Sequence, residues 1–243
     1  MSRTVQQLFD LTGKTALVTG GAAGQGLQMA HALGEAGARI MLAGRQADAL
    51  EQACAELQDA GVDARWTVAD SASEADLQYL INEMLQRMGD IDILVNHAEV
   101  VRAISLQEPV IEAWDQVINQ HLRTSAVLSQ ITIQKSMMAR RSGRIINVSP
   151  FSGLDAQTQA VMQLTRALAT EWGPYNITVN AIGAGVFPTN LPNALLAAQS
   201  PWPGPGHDED LKGVCVLLAS DAGQHITGQW LAVDGGMSLM AGA

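Results

Sequence analysis

The residues with the plainest chemical reading are Thr19-Gly20-Gly21-Ala22-Ala23-Gly24-Gln25-Gly26. They follow a strand-like apolar run at 15–18 and open a helix-like run at 25–36. A glycine-rich turn in that setting lets the backbone approach a diphosphate. The helix beyond it offers N–H groups and a partial positive charge. Glycine spacing alone says little; the strand–turn–helix context makes it specific. Gly20, Gly24 and Gly26 are the glycines such a turn uses. Gly44-Arg45 closes the second strand-like run, where an acidic residue would hold a ribose 2′-hydroxyl. An arginine there suits a 2′-phosphate, and reads equally as an exposed arginine at a helix start. Asp70 ends the third run. It can cap an adenine edge, or equally the helix that starts near Ser73.

These residues need a frame, and the pattern of the chain supplies one. Strand-like runs fall at 15–18, 39–43, 64–68, 91–95, 144–148, 178–182 and 230–233. Helix-like runs lie between them, at about 25–36, 46–60, 73–88, 110–140, 155–172 and 208–220. Short apolar strands separated by helices predict an α/β fold: a doubly wound, seven-stranded parallel sheet, Rossmann-like, with helices on both faces. No repeat or linker interrupts the alternation, so residues 1–243 are expected to be a single domain. The one irregular segment, Ser200-Pro201-Trp202-Pro203-Gly204-Pro205-Gly206, has prolines and glycines that forbid a helix or central strand. It reads as a surface connection or as a lid over the C-terminal ends of the strands.

Composition narrows the partners. With 47% hydrophobic residues the chain of 243 can bury a full core and is not disordered. A net charge of −10 argues against nucleic acid, which needs clustered Lys and Arg, and against anionic membrane surfaces. Arg140, Arg141 and Arg144 form the sole basic cluster and read as a solvated helix end. Cys54 and Cys215 have neither metal nor disulfide spacing, which fits a reducing cytoplasm. The start, MSRTVQQLFD, lacks the apolar stretch of a signal peptide, and no apolar run reaches membrane-spanning length. The expected ligand is a small molecule.

Several further strings appear in order. They are Ile93-Leu94-Val95-Asn96, Trp114-Asp115, Gly143-Arg144-Ile145-Ile146-Asn147-Val148-Ser149, Asn176-Ile177-Thr178-Val179-Asn180-Ala181-Ile182, Thr227-Gly228-Gln229 and Val233-Asp234-Gly235-Gly236. With the glycine turn they make essentially the whole chain resemble the short-chain dehydrogenase/reductase family. It is most like the gluconate 5-dehydrogenase and 3-oxoacyl-carrier-protein reductase types, and Leu8-Phe9-Asp10-Leu11-Thr12-Gly13-Lys14 favours the former. The resemblance implies NADP or NAD as cofactor, with Asn96 and Thr189 retained among the cofactor contacts. It also implies pairing into a homodimer or homotetramer, partly through the helix at 155–172, whose Val161, Leu164, Leu168 and Trp172 form an apolar stripe that reads also as core.

Members of that family work with an Asn, a Ser, a Tyr and a Lys. The Tyr is the general acid/base. The Lys lowers its pKa and binds the nicotinamide ribose, the Ser positions the substrate oxygen, and the Asn holds a relay water. Aligned by flanking strings, the Asn position here holds His121, the Ser position Pro150, the Tyr position Leu154 and the Lys position Thr158. No Tyr-x-x-x-Lys occurs anywhere in the chain. Phe151, Ser152 and Gly153 are all that remain between the Ser and Tyr positions. Glu99 stands where the family has a glycine beside the cofactor; it adds charge near a diphosphate, or faces solvent from its loop.

Ionisable groups gather where the family residues are gone. His97 and Glu99 follow the fourth strand, His121 takes the Asn position, and Asp155 sits beside the Tyr position. A histidine titrates near neutrality and a half-buried carboxylate can be raised toward it, so the set can run acid/base chemistry. His97 and His121 are the central pair, expected to face one another. His121 also reads as a hydrogen-bonded core histidine, and Asp155 as a helix N-cap. The spacing contains no metal motif. These residues lead to a family homologue that has lost hydride transfer and performs non-redox acid/base chemistry of isomerase, lyase or cyclase type. In that reading the dinucleotide binds weakly or not at all. The alternatives are a pseudoenzyme acting as an oligomer partner, and an NAD(P)-dependent oxidoreductase on a polyol or 3-oxoacyl substrate with a proton relay rebuilt from His121 and water.

Overall fold

The computed structural model describes residues 2–97, 122–150, 156–185, 187, 200–202, 204–207 and 209–240, with residues 150, 156 and 157 in main chain only. The expected strands all form: β1 (Thr15–Thr19), β2 (Arg39–Gly44), β3 (Ala64–Val68), β4 (Ile93–His97), β5 (Gly143–Pro150), β6 (Ile177–Ala184) and β7 (Trp230–Val233). They make one seven-stranded sheet in the order β3-β2-β1-β4-β5-β6-β7, each neighbouring pair parallel. The chain reverses its direction of travel across the sheet after β3, so β1 and β4 flank the crevice where doubly wound sheets take ligands.

The helices are α1 (Val5–Phe9), α2 (Gly24–Glu35), α3 (Ala47–Asp59), α4 (Glu74–Met88), α5 (Thr124–Thr132), α6 (Ala156–Trp172), α7 (Asp210–Ala219) and α8 (Met237–Met240). α5 continues through a π-helical turn, Ile133–Met137, into Met138–Arg140. Period-two alternation divides the strand side chains between two cores. Val18, Leu42, Val95 and Ile146 pack with Met29, Leu50 and Leu211 of α2, α3 and α7. Leu17, Met41, Leu94 and Ile145 pack on the other face with Leu80 and Met84 of α4 and Leu128 of α5. β6 is buried along its whole length, as a central strand covered on both faces must be. In α6 Val161 is buried, while Leu168 and Trp172 are half-buried against the second core. No described helix is long and apolar enough to cross a membrane.

Two details differ from expectation. α1 was not anticipated, although its signal is legible. Thr4 and Gln7 form a reciprocal capping box, the Thr4 hydroxyl accepting from Gln7 N and the Gln7 side chain accepting from Thr4 N. The arginine cluster is not a solvated helix end. Arg140 donates to Asp92 at 2.9 Å and to the Ile91 carbonyl at 2.6 Å. Arg144 is buried and reaches Asp221 at 3.2 Å, and Asp221 also takes Arg3. A guanidinium brought this far under the sheet needs a carboxylate partner. Only Arg141 stays exposed, over the Tyr175 ring.

Candidate dinucleotide site

β1 ends and α2 begins at the glycine turn, and the glycines are required by space. Gly20 has φ +60°, and a Cβ on it would lie 2.5 Å from the His97 carbonyl oxygen. A Cβ on Gly26 would lie 2.2 Å from the Gly20 oxygen. Gly24 has φ +56°, a conformation that costs an L residue strain. At the head of α2, Ala23 provides no side-chain cap, whereas Ser73 caps α4 through Asp76 N. The opening N–H groups of α2 are therefore left to a ligand, and with the helix dipole they suit an anion.

The turn borders a solvent-open cleft at the C-terminal ends of β1, β2 and β4. Thr19, Gly20, Gly44, Arg45, Asn96 and His97 line it, with Thr124 and Ser125 from the start of α5. Thr19 ties the two central strands at the cleft floor: its Oγ1 accepts from His97 N at 3.0 Å and lies 3.2 Å from the His97 carbonyl oxygen. Arg45 is exposed at the cleft rim. It is the one charged side chain among the described lining residues.

Asn96 and His97 are consecutive on β4 and so point to opposite faces of the sheet. Asn96 is buried, and its amide donates to Ser129 Oγ at 3.0 Å and to Asn147 Oδ1 at 2.9 Å. Asn147 in turn donates to Thr165 Oγ1 at 3.0 Å. This chain of buried groups binds β4, β5, α5 and α6 together. The Asn96 side-chain oxygen Oδ1 is buried beside the cleft wall with no hydrogen-bond partner among the described residues. We expect Asn147→Ala, which strands the Asn96 amide and the Thr165 hydroxyl, to cost about 2–4 kcal/mol in denaturant unfolding.

His97 points the other way, into the glycine turn, with Nδ1 3.3 Å from the Gly20 oxygen. Loss of hydration pushes its pKa down from the usual value near 6.5 to about 4, against a smaller opposing effect of the Gly20 hydrogen bond. The imidazole is thus neutral at physiological pH.

The structure brings Gly20, Gly24, Gly26, Arg45, Asn96 and His97 to one place. Asp70 is not among them: it is exposed, its carboxylate accepts from Ala72 N at 3.0 Å, and the cap of α4 is Ser73. Its neighbours Ala69 and Ser71 line the cleft instead. Glu99, His121, Asp155 and Thr189 lie outside the described residues, as do Leu154 and residues 151–153. α5, the described continuation of the run at 110–140, packs on the face opposite His97. Thr158 is 2% exposed on α6, so the position of the family lysine is a buried hydroxyl. Among the described residues no group of His, Cys, Asp and Glu is arranged to hold a metal ion. The described part of the segment 200–206 rests on the turn after β7, with Trp202 N donating to the Gly235 oxygen at 3.0 Å and the Trp202 side chain 70% exposed.

Ser129, Asn147 and Thr165 were not anticipated. Their signal is the asparagine within each of three successive apolar strands, Asn96, Asn147 and Asn180, all buried. A buried amide in a parallel strand requires partners on the neighbouring elements.

A family profile described as Enoyl-(Acyl carrier protein) reductase matches residues 20–238. The chain is 32% identical to 2-dehydro-3-deoxy-D-gluconate 5-dehydrogenase of Formosa agariphila over 97% of its own length and 96% of that protein. It is equally, 32%, identical to the rhamnolipids biosynthesis 3-oxoacyl-[acyl-carrier-protein] reductase of Pseudomonas aeruginosa, covering 95% of this chain and 98% of the other. A crystal structure of gluconate 5-dehydrogenase from Burkholderia cenocepacia, in complex with NADP and tartrate, superposes with a TM-score of 0.90 at 31% identity, covering 97% and 99% of the two chains.

Proposed function

The chain belongs to the short-chain dehydrogenase/reductase family, and from that we propose that it is a nicotinamide-dinucleotide-dependent oxidoreductase acting on a small polar substrate of the polyol, hydroxy-acid or 3-oxoacyl class. The observation that carries this reading is the cleft itself, where an uncapped helix start, three obligatory glycines and Arg45 surround a space free of described carboxylates. The residues fit the cofactor. The α2 N–H groups would hold the diphosphate and Arg45 a 2′-phosphate. A bound nicotinamide supplies hydride transfer. The names of the similar proteins support the same class of activity and favour it over non-redox chemistry.

The proton step must differ from that of the wider family, because Leu154 and Thr158 stand in place of the Tyr and Lys. We assign the relay to His121 with water. Absorbance loss by NADPH or NADH with 5-dehydro-D-gluconate, 2-dehydro-3-deoxy-D-gluconate derivatives or 3-oxoacyl thioesters tests the reading. Loss of the signal in His121→Ala is the expected result, and unchanged turnover in that variant overturns the relay.

Arg45 carries a further prediction. Arg45→Ala removes one charge-assisted contact to a 2′-phosphate, worth roughly 1.5–3 kcal/mol. NADP affinity is expected to fall about ten- to a hundredfold with NAD affinity unchanged. Equal losses for both dinucleotides count against that role. The missing lysine should leave the nicotinamide half held more weakly than the adenosine half.

A second reading rests on Pro150, Leu154 and Thr158, none of which moves a proton. It keeps the cleft for non-redox acid/base chemistry by Glu99, His121 and Asp155 with His97, or for a pseudoenzyme that pairs with a relative. A neutral His97 turned to the Gly20 oxygen is a poor acid for it. Turnover of an enolisable or dehydratable substrate without any nicotinamide would favour this reading. In either case we propose a homodimer or homotetramer, the half-buried Leu168 and Trp172 of α6 being available to a second copy. The two buried cysteines, free of any disulfide, suit a reducing cytoplasm.

A further inference from the structure

We propose that His97 is a positioning residue of the dinucleotide site, and that the site takes up a proton at His97 when a diphosphate binds. This rests on the dinucleotide reading above. The imidazole fills the hollow that two glycines leave: an ideal Cβ on Gly20 would lie 2.7 Å from Nδ1, and one on Gly26 2.9 Å from it. The Gly20 oxygen can only accept, so Nδ1 carries the hydrogen at 3.3 Å and Nε2 keeps the titrating lone pair. The main chain of His97 is pinned by Thr19 Oγ1 from β1. The ring is therefore a rigid support behind the peptide at which the phosphate turn begins.

The charges around it define its proton affinity. The described elements packed about the cleft present Thr19 from β1, Asn96 from β4, Ser71 after β3, and Thr124 and Ser125 from α5, none of which titrates; Val148 lies beside His97 on β5. Arg45 at the end of β2 is the one other charge. Burial of the ring disfavours its charged form, no carboxylate among these groups opposes that, and the imidazole stays neutral. A diphosphate at the head of α2 brings two negative charges into the same space and reverses that balance. By linkage, a ligand that raises the proton affinity of His97 must itself bind more tightly as the pH falls.

The test uses NAD, whose own groups do not titrate between pH 5 and 8, and the full-length protein. Calorimetry from pH 8 to pH 5, in two buffers of different ionisation enthalpy, reads the dissociation constant and the protons taken up. The expected result is a dissociation constant that falls toward tenfold per pH unit at the acid end, with uptake approaching one proton. His97→Asn keeps an amide donor for the Gly20 oxygen and has nothing to titrate. Whatever its affinity at pH 8, it should show a flat profile. Should that variant not fold, NMR titration of the His97 ring in the unaltered protein replaces it, and saturating NAD is expected to raise the apparent pKa by about two units or more. A flat profile in the unaltered protein, an equal slope in His97→Asn, or a His97 titration unmoved by NAD overturns the proposal alone. Absence of NAD binding at every pH overturns the dinucleotide reading and this proposal with it.

Discussion

Gly26→Ala is expected to abolish dinucleotide binding while leaving the sheet folded. The added Cβ would lie 2.2 Å from the Gly20 carbonyl oxygen and 2.9 Å from His97 Nδ1. The first contact is with backbone and cannot be relieved by a rotamer change, so the turn itself must move. Overpacking of this kind costs about 1–3 kcal/mol of stability. The loss of binding should be larger. The N–H groups at the head of α2 must all point at one ligand, and misaiming two charge-assisted hydrogen bonds removes about 3–6 kcal/mol. That corresponds to more than a hundredfold in dissociation constant. Calorimetry with NADP and NAD, alongside circular dichroism to verify folding, gives the result. Gly213→Ala is the control: it lies in α7, its Cβ would meet nothing within 4 Å, and it should gain about 0.5–1 kcal/mol with binding unchanged. Retained affinity in Gly26→Ala would mean that the turn does not hold the diphosphate.

The second large effect concerns rate. Nicotinamide-dependent reduction of a keto-acid or 3-oxoacyl substrate is expected to run about 10²–10⁴-fold slower than in a relative with the complete Tyr–Lys pair, that being the usual contribution of a positioned general acid. The deficit should fall on kcat, because the missing groups act on the transferring proton rather than on substrate binding. Thr158 bears on the expected deficit: at 2% exposed it is enclosed on α6, where a hydroxyl supplies no cation to depress the pKa of a neighbouring acid. Side-by-side single-turnover measurements with a relative of complete motif decide the matter. Equal rates would mean that the proton is carried by a group as effective as the tyrosine, and that the weight placed on Leu154 and Thr158 is misplaced.

The division between what was readable in the chain and what was not follows from the range of the forces involved. Period-two and period-3.6 patterns are local, and each strand-like run became a strand, with boundaries moved by no more than two residues, as at β5 (Gly143–Pro150) and β6 (Ile177–Ala184). The glycine turn was likewise readable, because its requirement for space arises within eight residues. Its neighbour His97 is readable as a residue, but its contact with the Gly20 oxygen is not. The reading that sets it opposite His121 falls outside the described residues. Strand alternation sends Asn96 to the side of α5 and His97 to the side of α2, and the end of β4 at residue 97 rather than 95 is what makes that alternation reach His97.

Charge partners were the least legible. Arg144 next to Arg140 and Arg141 reads as a solvated helix end, yet Asp221, 77 residues away in sequence, draws it into a partly buried pair. The Asn96–Asn147–Thr165 chain spans 69 positions and exists only because β4, β5 and α6 are packed together. The sequence by itself determined the order of elements, the sheet they make, the phosphate turn and the family, since each depends on neighbours along the chain. Tertiary structure alone decided which buried polar group meets which, that Asp70 stays outside the cleft, and that the His97 ring turns toward the glycine turn as a neutral imidazole. Those outcomes depend on solvent exclusion and on contacts between distant segments, and neither has a signature in local spacing.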